Sequence, residues 1–383
     1  MIPSESRVPA VLFAMRYPSD IGMVWRAQGE IYDVVADYLR PHVRCLVAYP
    51  KLSNNPAFQP SVLEPIACNL YDTSANNRER ISTLLRTHSI RLLFFTSCAP
   101  QEVDLGFYRS LGVETWNYEF DSYATDPQPF HKTLLKKLMR TVLRRNIHDF
   151  YVANTVHQSR FLVQVAGLPA NRVRAVVTGV NVDHFCPGPP PDPQPLGLPT
   201  QTHYVVSVSQ ARPEKRLDRV IDAALILQQK RPDLNVSFVH VGDGPSLPDW
   251  QNRVAELGLE QRFHFVGNRR DVLNYLRLAT VFVHVAERES FGFAVAEAMA
   301  VGKPVLVTKS AGPCEIIESG VNGLLADPDD IPQLATNIAH LLDNPIERER
   351  LGRAARDRVV EHFNIRNHAR GVSELIATHL QLH

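Results

Sequence analysis

The chain has 383 residues, 41 Lys plus Arg against 40 Asp plus Glu, and a formal net charge of +1, so it lacks the general basic field of a nucleic-acid-binding protein. Hydrophobic residues at 44% and charged residues at 21% exclude a disordered or collagen-like chain, and the length exceeds one ordinary core, predicting two or three domains. The cysteines, Cys45, Cys68, Cys98, Cys186 and Cys314, are scattered and never form a CxxC pair, which argues against a disulfide framework or a thiolate metal site and for reduced thiols in the cytoplasm.

Residues 1–7 are polar and lead into an apolar run, 8–15, that is too short for a secretion signal or a membrane span. No transmembrane helix is expected, so any membrane contact would be peripheral, on the inner face. Strand-like runs follow at 43–49, 91–95, 113–117, 150–154 and 173–178, with helical patterns at 26–39, 102–111 and 156–166. This is the βαβ rhythm of a parallel sheet covered on both faces. Gly22 closes the loop after the first run, where a glycine lets a ligand approach the backbone. Residues 131–146, HKTLLKKLMRTVLRRN, hold six Lys or Arg and no acid. As a helix they place Leu134, Leu138 and Leu135 on one face and Lys137, Arg140 and Arg144 on another. Such a helix suits an anionic membrane surface, and equally an ordinary domain helix with a solvated basic face.

Residues 187–199, PGPPPDPQPLGLP, contain seven prolines and read as a semi-rigid linker. The alternation then resumes with strands at 203–209, 236–241, 263–266, 281–285 and 304–308. The expected division is a first domain at 1–186, a linker at 187–200, a second domain at 201–364, and a last helix, within 365–383, that closes back onto the first domain. The fold class is α/β, with two doubly wound Rossmann-like domains facing across a cleft at their strand C-termini.

Two segments of the second domain carry chemistry. Ser209-Gln-Ala-Arg-Pro-Glu-Lys-Arg216 joins a strand to a helix; cations there would complement an anion docked on the helix N-terminus. Glu289-Ser-Phe-Gly-Phe-Ala-Val-Ala-Glu297-Ala-Met-Ala puts two carboxylates eight positions apart. Every residue from 293 to 301 except Glu297 is apolar, predicting a mostly buried helix whose one carboxylate needs a polar partner. Gly292 just ahead leaves room for an anion at the helix N-terminus.

The order QARPEK, GDGP, VGN, ESFGFAVAEAMA, GKPV, AGPCEII, VNGLL resembles the retaining glycosyltransferases of family 4, which have the GT-B fold. The likeness runs over roughly residues 150–345, opening with ANTVHQSRFLVQVAGLP. It implies that Glu297 binds the ribose of a nucleoside-diphosphate-sugar donor, that Glu289 contacts the donor sugar, and that N–H groups at Phe291 and Gly292 lie near the hexose and pyrophosphate. Lys215 and Arg212 are implied for the diphosphate, with Gln210 beside them where the family carries an arginine, and Asn268 is placed near the nucleobase. The QARPEK variant is similar to the QFRPEK segment of mannosyltransferases that build lipid-linked oligosaccharides. Gly22 stands alone where relatives have a glycine-rich loop. No histidine stands where the family's first domain often has one; Tyr118 or Glu119 occupies that place, and Asp121 and His131 join them as acceptor-side candidates. Asp327-Pro-Asp329 matches the DxD of metal-dependent transferases but lies in a polar loop, and no metal or other cofactor is expected.

The implied function is transfer of a hexosyl group, mannosyl by the nearest pattern, from the donor to a saccharide or lipid-linked acceptor with retention at the anomeric carbon, and no nucleic-acid partner. Two other readings fit the same residues: a nucleotide-sugar epimerase or hydrolase, and a non-catalytic sugar-nucleotide-binding subunit.

Overall fold

In the computed structural model, which describes residues 8–20, 23–40, 42–120 and 147–382, the apolar runs of the first half pair as parallel strands. These are β1 (Ala10–Ala14), β2 (Arg44–Tyr49), β3 (Glu64–Ala67), β4 (Ile90–Thr96), β5 (Glu114–Glu119), β6 (Phe150–Ala153) and β7 (Val173–Ala175). They lie in the order β3-β2-β1-β4-β5-β6-β7. All five residues of β1 are buried, as an unbroken apolar run requires in a sheet covered on both faces. Above it, Phe13 stacks on Tyr32 at 4.3 Å, and the Tyr32 hydroxyl shares a 2.6 Å hydrogen bond with Thr96.

Sequence periodicity passes over two elements of this sheet layer. β3, Glu-Pro-Ile-Ala, is an edge strand with no residue fully buried, so it carries no apolar run and tolerates a proline. The helix Ala75–Thr87 buries only Ile81 and Leu85, too thin a stripe to register as amphipathic.

The second sheet is also parallel: β8 (His203–Val208), β9 (Val236–Val241), β10 (Phe263–Phe265), β11 (Val281–His284), β12 (Val305–Thr308) and β13 (Leu324–Ala326). Its order is β10-β9-β8-β11-β12-β13. The chain therefore winds outward in one direction from β8 and in the other from β11. Their carboxyl ends mark the reversal point, where open α/β sheets bind ligands. Behind the sheet, Val281, Val283 and Val285 pack with Val220, Ile221 and Ala224 of the helix Asp218–Lys230 in one continuous core.

Two compact units result, one of residues up to Thr178 together with Ile365–His383, the other Gly179–Asn364. The proline-rich stretch lies within the second unit. Leu198 is buried, and the Arg277 guanidinium donates to the Cys186 carbonyl at 3.2 Å just ahead of the first proline. Fixed proline dihedrals make such packing entropically cheap. The last helix, Ile365–His379, lies on the helix Met23–Leu39 of the first unit, with Ser373 Oγ donating to the Val35 carbonyl at 3.3 Å. No helix among the described residues is long and apolar enough to cross a membrane.

Burial pushes the imidazoles of His148, His240 and His368 down to about 4, 3 and 4. Unfolding returns each toward about 6.5, so below that pH the unfolded chain binds more protons and stability falls with pH down to about 4. Urea denaturation should thus give a lower midpoint at pH 5 than at pH 7.5, and His148→Gln should shrink the drop for the first unit. Equal midpoints at the two pH values would contradict this burial.

Candidate active site in the second unit

Two loops meet at the reversal point. After β8 the chain runs through Ser209–Arg216, where Pro213 opens a single 3-10 turn, Pro213–Lys215, and Arg216 takes a left-handed φ of 49° before the helix Asp218–Lys230. After β11 it runs to Gly292, whose φ of 97° starts the helix Phe293–Ala300. The loops are tied by a backbone bond from Glu287 N to Glu214 O at 2.9 Å. A second tie is ionic: Lys215 Nζ donates to Glu289 Oε2 at 2.7 Å, and His284 Nε2 reaches the same oxygen at 3.1 Å.

The side chains of Lys215 and Glu289 are only 18% and 15% exposed, so this pair works in a partly desolvated setting. Burial alone would raise the Glu289 pKa. The Lys215 charge and the hydrogen bonds from His284 and Lys215 outweigh burial and hold the carboxyl well below its usual range. Beside the pair, Arg216 bonds Asp218 and reaches Glu287 at 3.5 Å, whereas Arg212 is exposed with no side-chain partner among the described residues.

A third loop, after β12, closes on the second. Gly312 N donates to Glu289 O at 3.0 Å, and a Cβ built on Gly312 would stand 2.5 Å from Phe291 N and Cα. Only glycine permits that approach. Phe291 buries its ring against Phe293 and Phe363, and the residue as a whole is buried.

The structure corrects one expectation. In the helix Phe293–Ala300, Val295, Ala296, Ala298, Met299 and Ala300 are buried, but Glu297 is only partly so and shares its stripe with Phe293 and Ala294. Apolar neighbours on that stripe disguised its accessibility; the strongly perturbed acid is Glu289, on the loop. Gln210 and Asn268 are exposed. Asn268 follows Gly267, whose carbonyl accepts from Gly242 N at 2.9 Å, so it stands at the same carboxyl edge of the sheet. His284 and Gly312 were not singled out by sequence. His284 ends an apolar strand and Gly312 sits in a turn, and neither carries a periodic signal.

The aspartates of the DxD-like stretch have structural partners. Asp327 accepts from Asp329 N at 3.1 Å, Asp329 lies 3.5 Å from the buried Arg219 guanidinium, and Asp330 caps the helix Ile331–Asp343 through Gln333 N at 2.9 Å.

In the first unit, Tyr118 is 1% exposed and packs against Tyr32 and His368. Glu119 is 3% exposed and accepts from Asn117 Nδ2 at 3.0 Å and Ser97 Oγ at 3.5 Å. Both acceptor-side candidates thus have interior environments. Gly22, Asp121, His131 and the basic stretch 131–146 lie outside the described residues.

Comparison with solved structures identifies the architecture. A glycosyltransferase from Rickettsia africae superposes with a TM-score of 0.76 at 18% identity, covering 98% of this chain and 99% of that one. The Anabaena protein HepE in complex with UDP-glucose gives 0.77 at 21% identity, covering 96% and 99%. The fold is GT-B. Residues 190–358 match the family model described as glycosyl transferases group 1, a span that contains the paired loops and Gly312. A D-inositol 3-phosphate glycosyltransferase of Thermobispora bispora is 31% identical over 210 residues, 52% of this chain and 49% of that protein. The chain therefore spans about half the length of the curated relative it matches.

Gly312→Ala should force the Ser290–Phe291 backbone to move, destabilising the second unit by about 1–3 kcal/mol. Urea unfolding followed by Trp250 fluorescence reads this, and an unchanged midpoint would contradict the close approach.

Proposed function

We propose that the protein is a retaining glycosyltransferase that moves a hexosyl group from a nucleoside-diphosphate sugar to a saccharide or lipid-linked saccharide acceptor. The observation that carries the reading is the convergence of Lys215, Glu289 and the N-terminus of the Phe293–Ala300 helix at the β8/β11 reversal point. HepE bound to UDP-glucose and the group 1 family match support a nucleotide-sugar donor. The QARPEK pattern supports a mannosyl group, and the basic stretch 131–146 supports an acceptor at an anionic membrane surface.

In this reading Glu297, on the accessible stripe of its helix, accepts from the ribose hydroxyls. Glu289 holds a hydroxyl of the sugar. Arg212, Lys215 and the N–H groups at Phe291 and Gly292 face the diphosphate. Departure of a nucleoside diphosphate builds negative charge on the leaving oxygen, and fixed cations with N–H donors lower that barrier without requiring a metal. Arg212 is available for this role as it stands. Lys215 serves it by dividing its ammonium donors between Glu289 and phosphate. With no carboxylate assigned as nucleophile, the leaving phosphate takes the acceptor proton on the same face.

A panel of UDP, GDP and ADP sugars tests the reading directly. At about a hundred times its dissociation constant the true donor should stabilise the fold by roughly 2.7 kcal/mol, read as a thermal shift. Transfer to a saccharide pool should give a product with the donor's anomeric configuration by NMR. Epimerised or rapidly hydrolysed donor, or binding with no transfer, would overturn the proposal. Glu297→Ala and Lys215→Ala should each lower turnover on the order of a hundredfold or more while keeping a cooperative unfolding transition; wild-type turnover in both would sink the site assignment.

A further inference from the structure

His284 is the one polar residue of β11, Val-Phe-Val-His, and its side chain is 5% exposed. Strand alternation puts Val281 and Val283 into the core against the helix Asp218–Lys230 and turns Phe282 and His284 to the other face. An aliphatic side chain would fill position 284 without the desolvation of an imidazole. The imidazole makes one hydrogen bond among the described residues, from Nε2 to Glu289 Oε2 at 3.1 Å. Because an ionised carboxylate only accepts, Nε2 carries the proton.

Glu289 Oε2 therefore takes both donors, Lys215 Nζ at 2.7 Å and His284 Nε2 at 3.1 Å, while Oε1 accepts no hydrogen bond among the described residues. Two donors arriving at one oxygen fix the torsion of the carboxylate, which a single ammonium would not, since an ammonium can bridge both oxygens. The two donors also differ under load. A bound diphosphate competes for the ammonium of Lys215, which sits on a long flexible stem, whereas the His284 ring, at the end of a buried strand and 5% exposed, has little room to leave Glu289. His284 is thus the partner that stays on Glu289 once the donor is bound.

We infer that His284 is a positioning residue: its Nε2–H holds Oε2 of Glu289 so that Oε1 faces a hydroxyl of the sugar being transferred. This role rests on the glycosyltransferase reading above. It predicts a defect confined to the sugar end of the donor, since the nucleotide is held by other groups.

The test compares His284→Leu with His284→Gln, whose amide nitrogen reaches about where Nε2 stands. For the leucine variant, kcat/KM with the nucleotide sugar should fall roughly tenfold to a hundredfold, the scale of losing one hydrogen bond to a charged group. The fall should be mainly in kcat, the glutamine variant should recover most of it, and calorimetric affinity for the free nucleoside diphosphate should stay unchanged in both. General damage to the fold would instead lower nucleotide affinity and melting temperature together, and that result overturns the inference. So does a leucine variant with full kcat/KM, or a glutamine variant as poor as leucine. A wild-type chain that transfers no sugar from any donor in the panel overturns the glycosyltransferase reading and this role with it, whereas an active wild type with an equally active leucine variant overturns the role alone.

Discussion

The ion pair between Lys215 and Glu289 is the constraint on which the second unit's site depends. It spans the place where the sheet reverses direction, and so joins two loops that leave neighbouring strands for opposite faces. Neither side chain is well hydrated, and each would carry an uncompensated charge without the other. That mutual need ties the two loop segments together. The backbone bond from Glu287 to Glu214 and the approach of Gly312 to Phe291 close the remaining freedom.

The same pair sets the electrostatics. A carboxylate held well below its usual range, against burial, by the Lys215 charge and the hydrogen bonds from His284 and Lys215 is an acceptor at any physiological pH. It can grip hydroxyl groups but cannot supply a proton. In the reaction we propose, charge on a departing diphosphate would be met by cations and backbone N–H groups; Arg212 is exposed with no side-chain partner among the described residues, and the Phe293–Ala300 helix begins after Gly292 with no side-chain cap. Division between a rigid sheet and a few tied loops is how α/β folds combine a stable scaffold with a chemically specific edge.

Much of this was legible in the chain. Unbroken apolar runs marked the inner strands because a strand covered on both faces has no polar side, and the spacing of glycine, lysine and glutamate marked both loops. What stayed hidden had physical causes. β3 and β13 lie at sheet edges with few buried residues. The Ala75–Thr87 helix buries two side chains. Tyr118 and Glu119 were acceptor-side candidates because they stand where the resembled family often has a histidine; packing from Tyr32, His368, Asn117 and Ser97 encloses them.

By itself the sequence determined the alternation of strands and helices, the two doubly wound halves, and the residue types at the candidate site, since periodicity and motif spacing are local properties. Tertiary structure alone decided which glutamate is desolvated and which is accessible. An apolar helix looks buried all round until its neighbours are known, and the partners that claim Glu289, one from the loop after β8 and one from the end of β11, meet only when the two strands lie side by side.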